Sequence, residues 1–150
     1  MAEHFDDIRA MDGDAKYMEL LGGTRSEAET QAYMARNLKH WEDYGHGLWM
    51  LRDSDGRMAG RCVLRHLDVE GTDEVELGYG FHMQYWGKGL ATEIARALLR
   101  LGRTELHRHS IVALTRSVNL GSQHVLVKTG LVYERDIDHE GIPHMLYRST

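Results

Sequence analysis

The residues best suited to chemistry lie in and just before the stretch Gln84-Tyr85-Trp86-Gly87-Lys88-Gly89-Leu90-Ala91-Thr92. Two glycines and a lysine stand between a strand-like run, Val75 to Met83, and a helix-like run, Leu90 to Leu101. A glycine turn entering a helix exposes unpaired backbone N–H groups beside the positive end of the helix dipole, worth roughly half a charge. Phosphate is the natural occupant, with Lys88 adding a flexible charge at the rim. Eight residues before Gln84 stands Glu76, on the face of the strand it shares with Gly78, Gly80 and His82, opposite Val75, Leu77, Tyr79 and Phe81. A partly buried carboxylate there is expected to have a raised pKa and to take a proton directly or through water, although a polar member of the strand's wetter face would look the same.

Two nucleotide motifs fail at this turn. A P-loop needs Ser or Thr after the lysine, where this chain has Gly89; a dinucleotide fingerprint built on Gly78-Tyr79-Gly80 needs a third Gly where Met83 stands. Metal spacing fails too: of ten histidines, His107 and His109 come closest to a pair, with no HExxH and a single cysteine, Cys62. No metal is expected.

The elements that must position these residues read as follows. Ala2 to Met11 and Asp14 to Leu21 are short helical pieces stopped at Gly22-Gly23. Ser26 and Glu29 form a capping box for a helix to about Asp43, with Ala28, Ala32, Met34, Ala35, Leu38 and Trp41 mostly on one face. Strands at Leu48 to Arg52 and Met58 to Leu67 flank the turn Asp53 to Gly56. A loop, Asp68 to Asp73, leads to a strand from Glu74 to Met83. After the Leu90 helix, with Ile94, Ala97, Leu98 and Leu101 at helical spacing, come a buried strand, Ile111 to Leu114, and a short helix, Gly121 to Thr129. A hairpin, Leu131 to Ile137 with Ile142 to Tyr147, ends the chain. This is a mixed α/β sheet with helices packed over it, containing one parallel crossover through the Leu90 helix.

The chain has 150 residues, which suits one domain, residues 1–150. Its formal charge of −5 and its scattered basic residues speak against nucleic acid as a partner. It has no apolar run long enough for a membrane span, and an acidic start unlike a signal peptide, so a cytoplasmic location is expected. The lone Cys62 agrees with a reducing compartment.

The pattern that does fit is Gln84-x-x-Gly87-x-Gly89 followed by Leu-Ala-Thr-Glu. It resembles the GNAT superfamily of N-acetyltransferases, in particular its RimJ/RimL-like branch. Gly45 to Trp49, Glu74 to Tyr79, Asn119-x-x-Ser122 with Val125 to Leu131, and the Asp138 to Gly141 turn resemble further segments of that branch, in its order, over roughly residues 14 to 148. The resemblance implies acetyl-CoA as cosubstrate and a direct attack of an amine on its thioester. It further implies that backbone groups of Phe81, His82 and Met83 hold the pantetheine arm and that N–H groups from Gln84 through Gly87, Lys88, Gly89 and Leu90 hold the pyrophosphate. Ala91 and Thr92 begin the helix, Asn119 contacts the arm, and Ser122 and Lys128 lie along the cofactor.

Glu76 is then the candidate base. Ser122 is a candidate donor to the leaving thiolate, its other reading being a helix-terminal hydrogen-bonder. The tyrosine that often stands seven residues after the motif asparagine is replaced by Leu126. The family's usual first strand does not precede the first helix: either the sheet lacks its edge strand or the start has been shortened, and since an exposed edge would need covering, a homodimer is expected. Trp49, Tyr85 and Trp86 read as packing residues rather than substrate stackers. The acceptor is a primary amine, on a protein N-terminus or a small molecule. The loops Gly22 to Ser26, Leu67 to Asp73 and Asp138 to Pro143 together contain acidic side chains able to attract a cation. The competing reading is a catalytically silent acyl-CoA-binding or sensor module that kept the cofactor turn.

Overall fold

A computed structural model describes residues 4–150. Helices α1 (Phe5–Asp12), α2 (Ala15–Met18) and α3 (Glu27–Tyr44) precede strands β1 (Leu48–Arg52), β2 (Met58–Val69) and β3 (Thr72–Phe81). Then follow α4 (Leu90–Thr104), β4 (Val112–Thr115), α5 (Leu120–Lys128), β5 (Leu131–His139) and β6 (Ile142–Ser149). The sheet is ordered β1-β2-β3-β4-β6-β5, antiparallel except for β3 and β4. It is the mixed α/β architecture expected, with no strand before α1 among the described residues. The expected start of the first helix at Ala2 lies outside them.

Local chemistry explains the elements. Ser26 and Glu29 form the capping box, Glu29 N–H donating to Ser26 Oγ at 3.2 Å and Ser26 N–H to Glu29 Oε2 at 2.7 Å. Gly45, at φ 72°, stops α3. The buried face of α3 is Thr30, Tyr33, Met34 and Asn37, whereas Ala28, Ala32 and Ala35 are exposed. The two buried polar residues are satisfied locally: Thr30 donates to Asp12 Oδ2 at 2.8 Å and Asn37 to the Tyr33 carbonyl at 2.8 Å. The Asp68 to Asp73 loop is absent. Val69 pairs with Thr72, so β2 and β3 are closed by a two-residue turn, Glu70-Gly71, with both φ positive (51° and 87°). Glu140-Gly141 closes β5 and β6 in the same way, at φ 53° and 78°.

Of the buried apolar clusters, the two larger ones lie on opposite faces of the sheet. On one face Leu64, Val75, Leu77, Leu98, Ile111, Leu126 and Tyr147 pack under α4 and α5. On the other, Ile8, Met11, Tyr17, Met18, Tyr33, Met34 and Val63 pack under α1 to α3. The face carrying Glu76 is therefore covered rather than wet: Glu76 is 8% exposed and Arg61 6%.

Between β3 and β4 the ladder has one register pair, Glu76 with Val112. Beyond it the strands part. His82 N–H donates to the Ala59 carbonyl at 2.9 Å, which sets the phase of the β2–β3 ladder. By antiparallel alternation Leu77, Tyr79 and Phe81 direct their backbone groups away from β2, toward the parting.

Candidate active site

The parting opens into a cleft of about 770 Å³ that passes through the sheet. Glu76, Gly78, Tyr79 and Gly80 of β3 form one wall, Ala113 to Arg116 with Asn119, Ser122 and Leu126 the other, and α3 roofs one side. At the outer end β3 stops at Phe81, two residues short of the expected Met83, and Met83–Tyr85 make a 3₁₀ turn. Tyr85 N–H donates to His82 O at 2.9 Å and Trp86 N–H to Met83 O at 3.0 Å, so those two amides are already used. From Gly87 the chain turns left-handed, with Gly87 at φ 74° and Gly89, the N-cap of α4, at φ 76°. No side chain caps α4, and its first internal bond is Glu93 N–H to Gly89 O. The amides of Leu90, Ala91 and Thr92 thus have no intrahelical partner, as an anion cradle requires.

The pantetheine expectation is redistributed by the same bonds. His82 N–H is held by β2, and the Phe81 carbonyl accepts from Trp86 Nε1 at 2.9 Å. Phe81 N–H and both backbone groups of Tyr79 point into the parting. Tyr79 is an addition to the expected set. Across from it, the Thr115 hydroxyl is buried without a hydrogen-bond partner, another polar group left for something lying between the strands. An amide-bearing arm fits these groups. Asn119 caps α5, its Oδ1 accepting from Ser122 N–H at 3.1 Å. Lys128 stands with Gly89, Thr92, Arg96 and Arg100 around a recess of about 360 Å³ beside the turn. Among the described residues no group of three or more His, Cys, Asp or Glu is placed to hold a metal ion.

Glu76 does not stand alone: Arg65 Nε lies 3.3 Å from its Oε2, and the carboxylate raises the Arg65 pKa further above its ordinary value. Ser122 Oγ lies 3.2 Å from the Tyr79 hydroxyl, whose pKa is raised by burial. Leu126 is buried in the core under α5, so a tyrosine hydroxyl reaches this region from β3 instead. Sequence reading missed Tyr79, Arg65 and Thr115. The signal for Arg65 was an arginine inside an apolar strand, Arg61-Cys62-Val63-Leu64-Arg65. Of the three aromatic residues expected to pack, Trp49 and Tyr85 do, whereas Trp86 is 54% exposed and is held by its Nε1 bond to the Phe81 carbonyl. Trp49 lies edge-on to Trp41 and Tyr85 donates to Asp53 at 2.7 Å.

A sheet parted around a glycine turn, with amides unpaired at a helix N-terminus and a carboxylate in the cleft, is the layout that the resemblance to the GNAT superfamily implies. A family model described as an acetyltransferase (GNAT) domain matches residues 1–132, and the chain belongs to that family. It is 30% identical over 135 residues to YkkB, an uncharacterized protein of Bacillus subtilis (strain 168), covering 89% of this chain and 78% of YkkB. The acetyltransferase from Agrobacterium tumefaciens str. C58 has a similar structure, with TM-score 0.85 and 22% identity over 100% of this chain and 86% of that one. So does spermidine N-acetyltransferase from Vibrio cholerae in complex with CoA and spermine, with TM-score 0.76 and 18% identity over 99% and 89%.

Proposed function

We propose that residues 1–150 act as one N-acetyltransferase domain of the RimJ/RimL-like branch, moving an acetyl group from acetyl-CoA to a primary amine. The observation that carries this reading is the parting of β3 from β4 beyond Glu76, ending at the uncapped N-terminus of α4. The amides from Gly87 through Thr92, with Lys88 at the rim, hold the pyrophosphate, and Lys128 lies along the cofactor. Backbone groups of Tyr79 and Phe81, with Thr115 Oγ1 and Asn119, hold the arm. Bound acetyl-CoA supplies an activated thioester carbonyl. Glu76 takes one proton from the ammonium, the neutral amine then forms the C–N bond, and as the C–S bond breaks Ser122, backed by Tyr79, passes a proton to the departing thiolate and regains one from the nitrogen, which gives up its second proton. Such proton transfers typically contribute about 10² to 10⁴ in rate, and fixed orientation contributes more.

We also propose a cytoplasmic location and a homodimer through a sheet edge; no helix among the described residues is long and apolar enough to cross a membrane. Titration calorimetry with acetyl-CoA, CoA and ATP tests the cofactor. Micromolar acetyl-CoA binding supports the reading; no binding, or a preference for ATP, overturns it. Thiol release with a panel of amines then separates an enzyme from a silent acyl-CoA-binding module.

A further inference from the structure

The roof of the cleft is one face of α3, carrying Glu29, Ala32, Tyr33, Arg36, Asn37 and His40 at helical spacing. Its floor on that side is the same-face run of β2, with Arg61 and Arg65, beside Gly80, Gly78 and Glu76 of β3. The charges there do not balance. Of the three glutamates lining the cleft, Glu29 is spent on the Ser26 cap and Glu76 on Arg65, which leaves Glu140. In the Leu67 to Asp73 segment Asp73 is engaged by His66 and Arg108 and Glu70 by Arg135, while Asp68 accepts from the Gly71 amide and does not line the cleft.

The cations are in surplus. Arg25 and Arg61 share one carboxylate, Asp12, each at 2.9 Å. Arg61 is nearly buried, lies over the Tyr17 and Tyr33 rings, and meets Asp12 through an Nη1 that makes no hydrogen bond. Arg25 lies over the other reach of Tyr33, 4.3 Å from its centroid. Arg36, one turn on from Tyr33, and Arg116 at the end of β4 have no acidic partner among the described residues. A chain of net charge −5 thus lines this cleft with arginine. A buried guanidinium left without its full set of acceptors is costly, and a planar fork is the group that best matches a carboxylate.

We propose that the acceptor is an amine that also carries a carboxylate, held by Arg36 with the Arg25–Arg61 pair while its amine reaches Glu76. The proposal rests on the acetyltransferase reading above. A polycation is the wrong acceptor for this cleft: it would meet Arg25, Arg36 and Arg116 with Glu140 as its one unengaged carboxylate.

The test is thiol release from acetyl-CoA with ω-amino acids of two to six carbons, each paired with the n-alkylamine of the same length. Spermidine and a peptide with an aspartate beside its free N-terminus are run alongside. A kcat/KM advantage on the order of tenfold or more for the acid of a pair is expected, shrinking in Arg36→Gln and Arg25→Gln and at high salt. Preference for the peptide over every free amino acid would assign the carboxylate to a polypeptide and still support the proposal. Equal rates within pairs, preference for spermidine, or no turnover of any carboxylate-bearing amine would overturn it. Acetyl-CoA affinity, measured by calorimetry on each variant, separates these outcomes from failure of the underlying reading, which would abolish that binding in the unmutated protein.

Discussion

The Tyr79 hydroxyl lies 3.2 Å from Ser122 Oγ, joining β3 to α5 across the cleft. Ser122 N–H is at the same time fixed by Asn119 Oδ1, so the serine is held at both its backbone and its hydroxyl. Ser122→Ala is expected to lower kcat by roughly 10- to 100-fold with acetyl-CoA affinity retained, and Tyr79→Phe to lower it less. If the two hydroxyls work as a unit, the double variant loses less than the product of the single losses. Steady-state kinetics with binding measured separately checks this; independent losses would dissolve the pair.

Glu76→Gln is expected to reduce kcat by about 10² to 10⁴ and to flatten the acidic limb of the pH–rate profile. It also leaves Arg65 without its carboxylate, so a loss of stability is expected beside the kinetic one. An unchanged profile would remove Glu76 as the base.

Gly87 sits at φ 74° with open space around it, so any side chain pays a backbone cost there whether or not a ligand binds. Asparagine and aspartate tolerate that conformation about equally and differ in charge. Calorimetry should find acetyl-CoA weakened on the order of tenfold more by Gly87→Asp than by Gly87→Asn. Equal weakening would mean that the turn does not hold phosphate.

His40 accepts the His66 backbone N–H at Nε2 (2.9 Å), so its proton sits on Nδ1, facing the His46 carbonyl at 2.7 Å. Burial is the main cause of its lowered pKa. The folded state therefore favours the neutral ring, and the unfolded chain binds more protons between the two pKa values. This contribution to stability is fully present above about pH 6.5 and is lost as the pH falls through the lowered folded value. Denaturant midpoints of the protein and of His40→Gln, taken between pH 5 and 8, should converge toward acid pH.

A Cβ on Gly60 would lie 2.1 Å from the Gly80 carbonyl oxygen, a backbone atom that cannot rotate away. Gly60→Ala is expected to destabilise by about 1 to 3 kcal/mol, read as a lower denaturant midpoint.

Features encoded within a few residues were legible. The Ser26–Glu29 cap and the glycine turn before α4 each depend on neighbours in the chain, and each is where the residue types put it. The Asp68 to Asp73 segment misled for a local reason: it is rich in acids, and its turn places Glu70, a residue that seldom takes positive φ, in the left-handed region. The partners of the cleft were not legible. Asp12 meets Arg61 from 49 residues away, and Arg65 meets Glu76 across a ladder whose register depends on that same turn. The α3 face was misjudged because apolarity was followed; Thr30 and Asn37 are buried only because Asp12 and the Tyr33 carbonyl satisfy them.

The lone Glu76–Val112 register pair also has a mechanical meaning. The six strands amount to two three-stranded blocks, β1-β2-β3 and β4-β6-β5, whose ladder is stitched at one register pair and which are otherwise joined by apolar clusters on both faces and by the ion pairs Glu74–Arg148 and Glu70–Arg135. Anything that lies along the parting touches both blocks and works as mortar. By mass action it adds about 2.7 kcal/mol at a hundred times its Kd, concentrated at this joint. The amides of Tyr79 and Phe81 are the place where that tightening would be felt as slowed exchange with water.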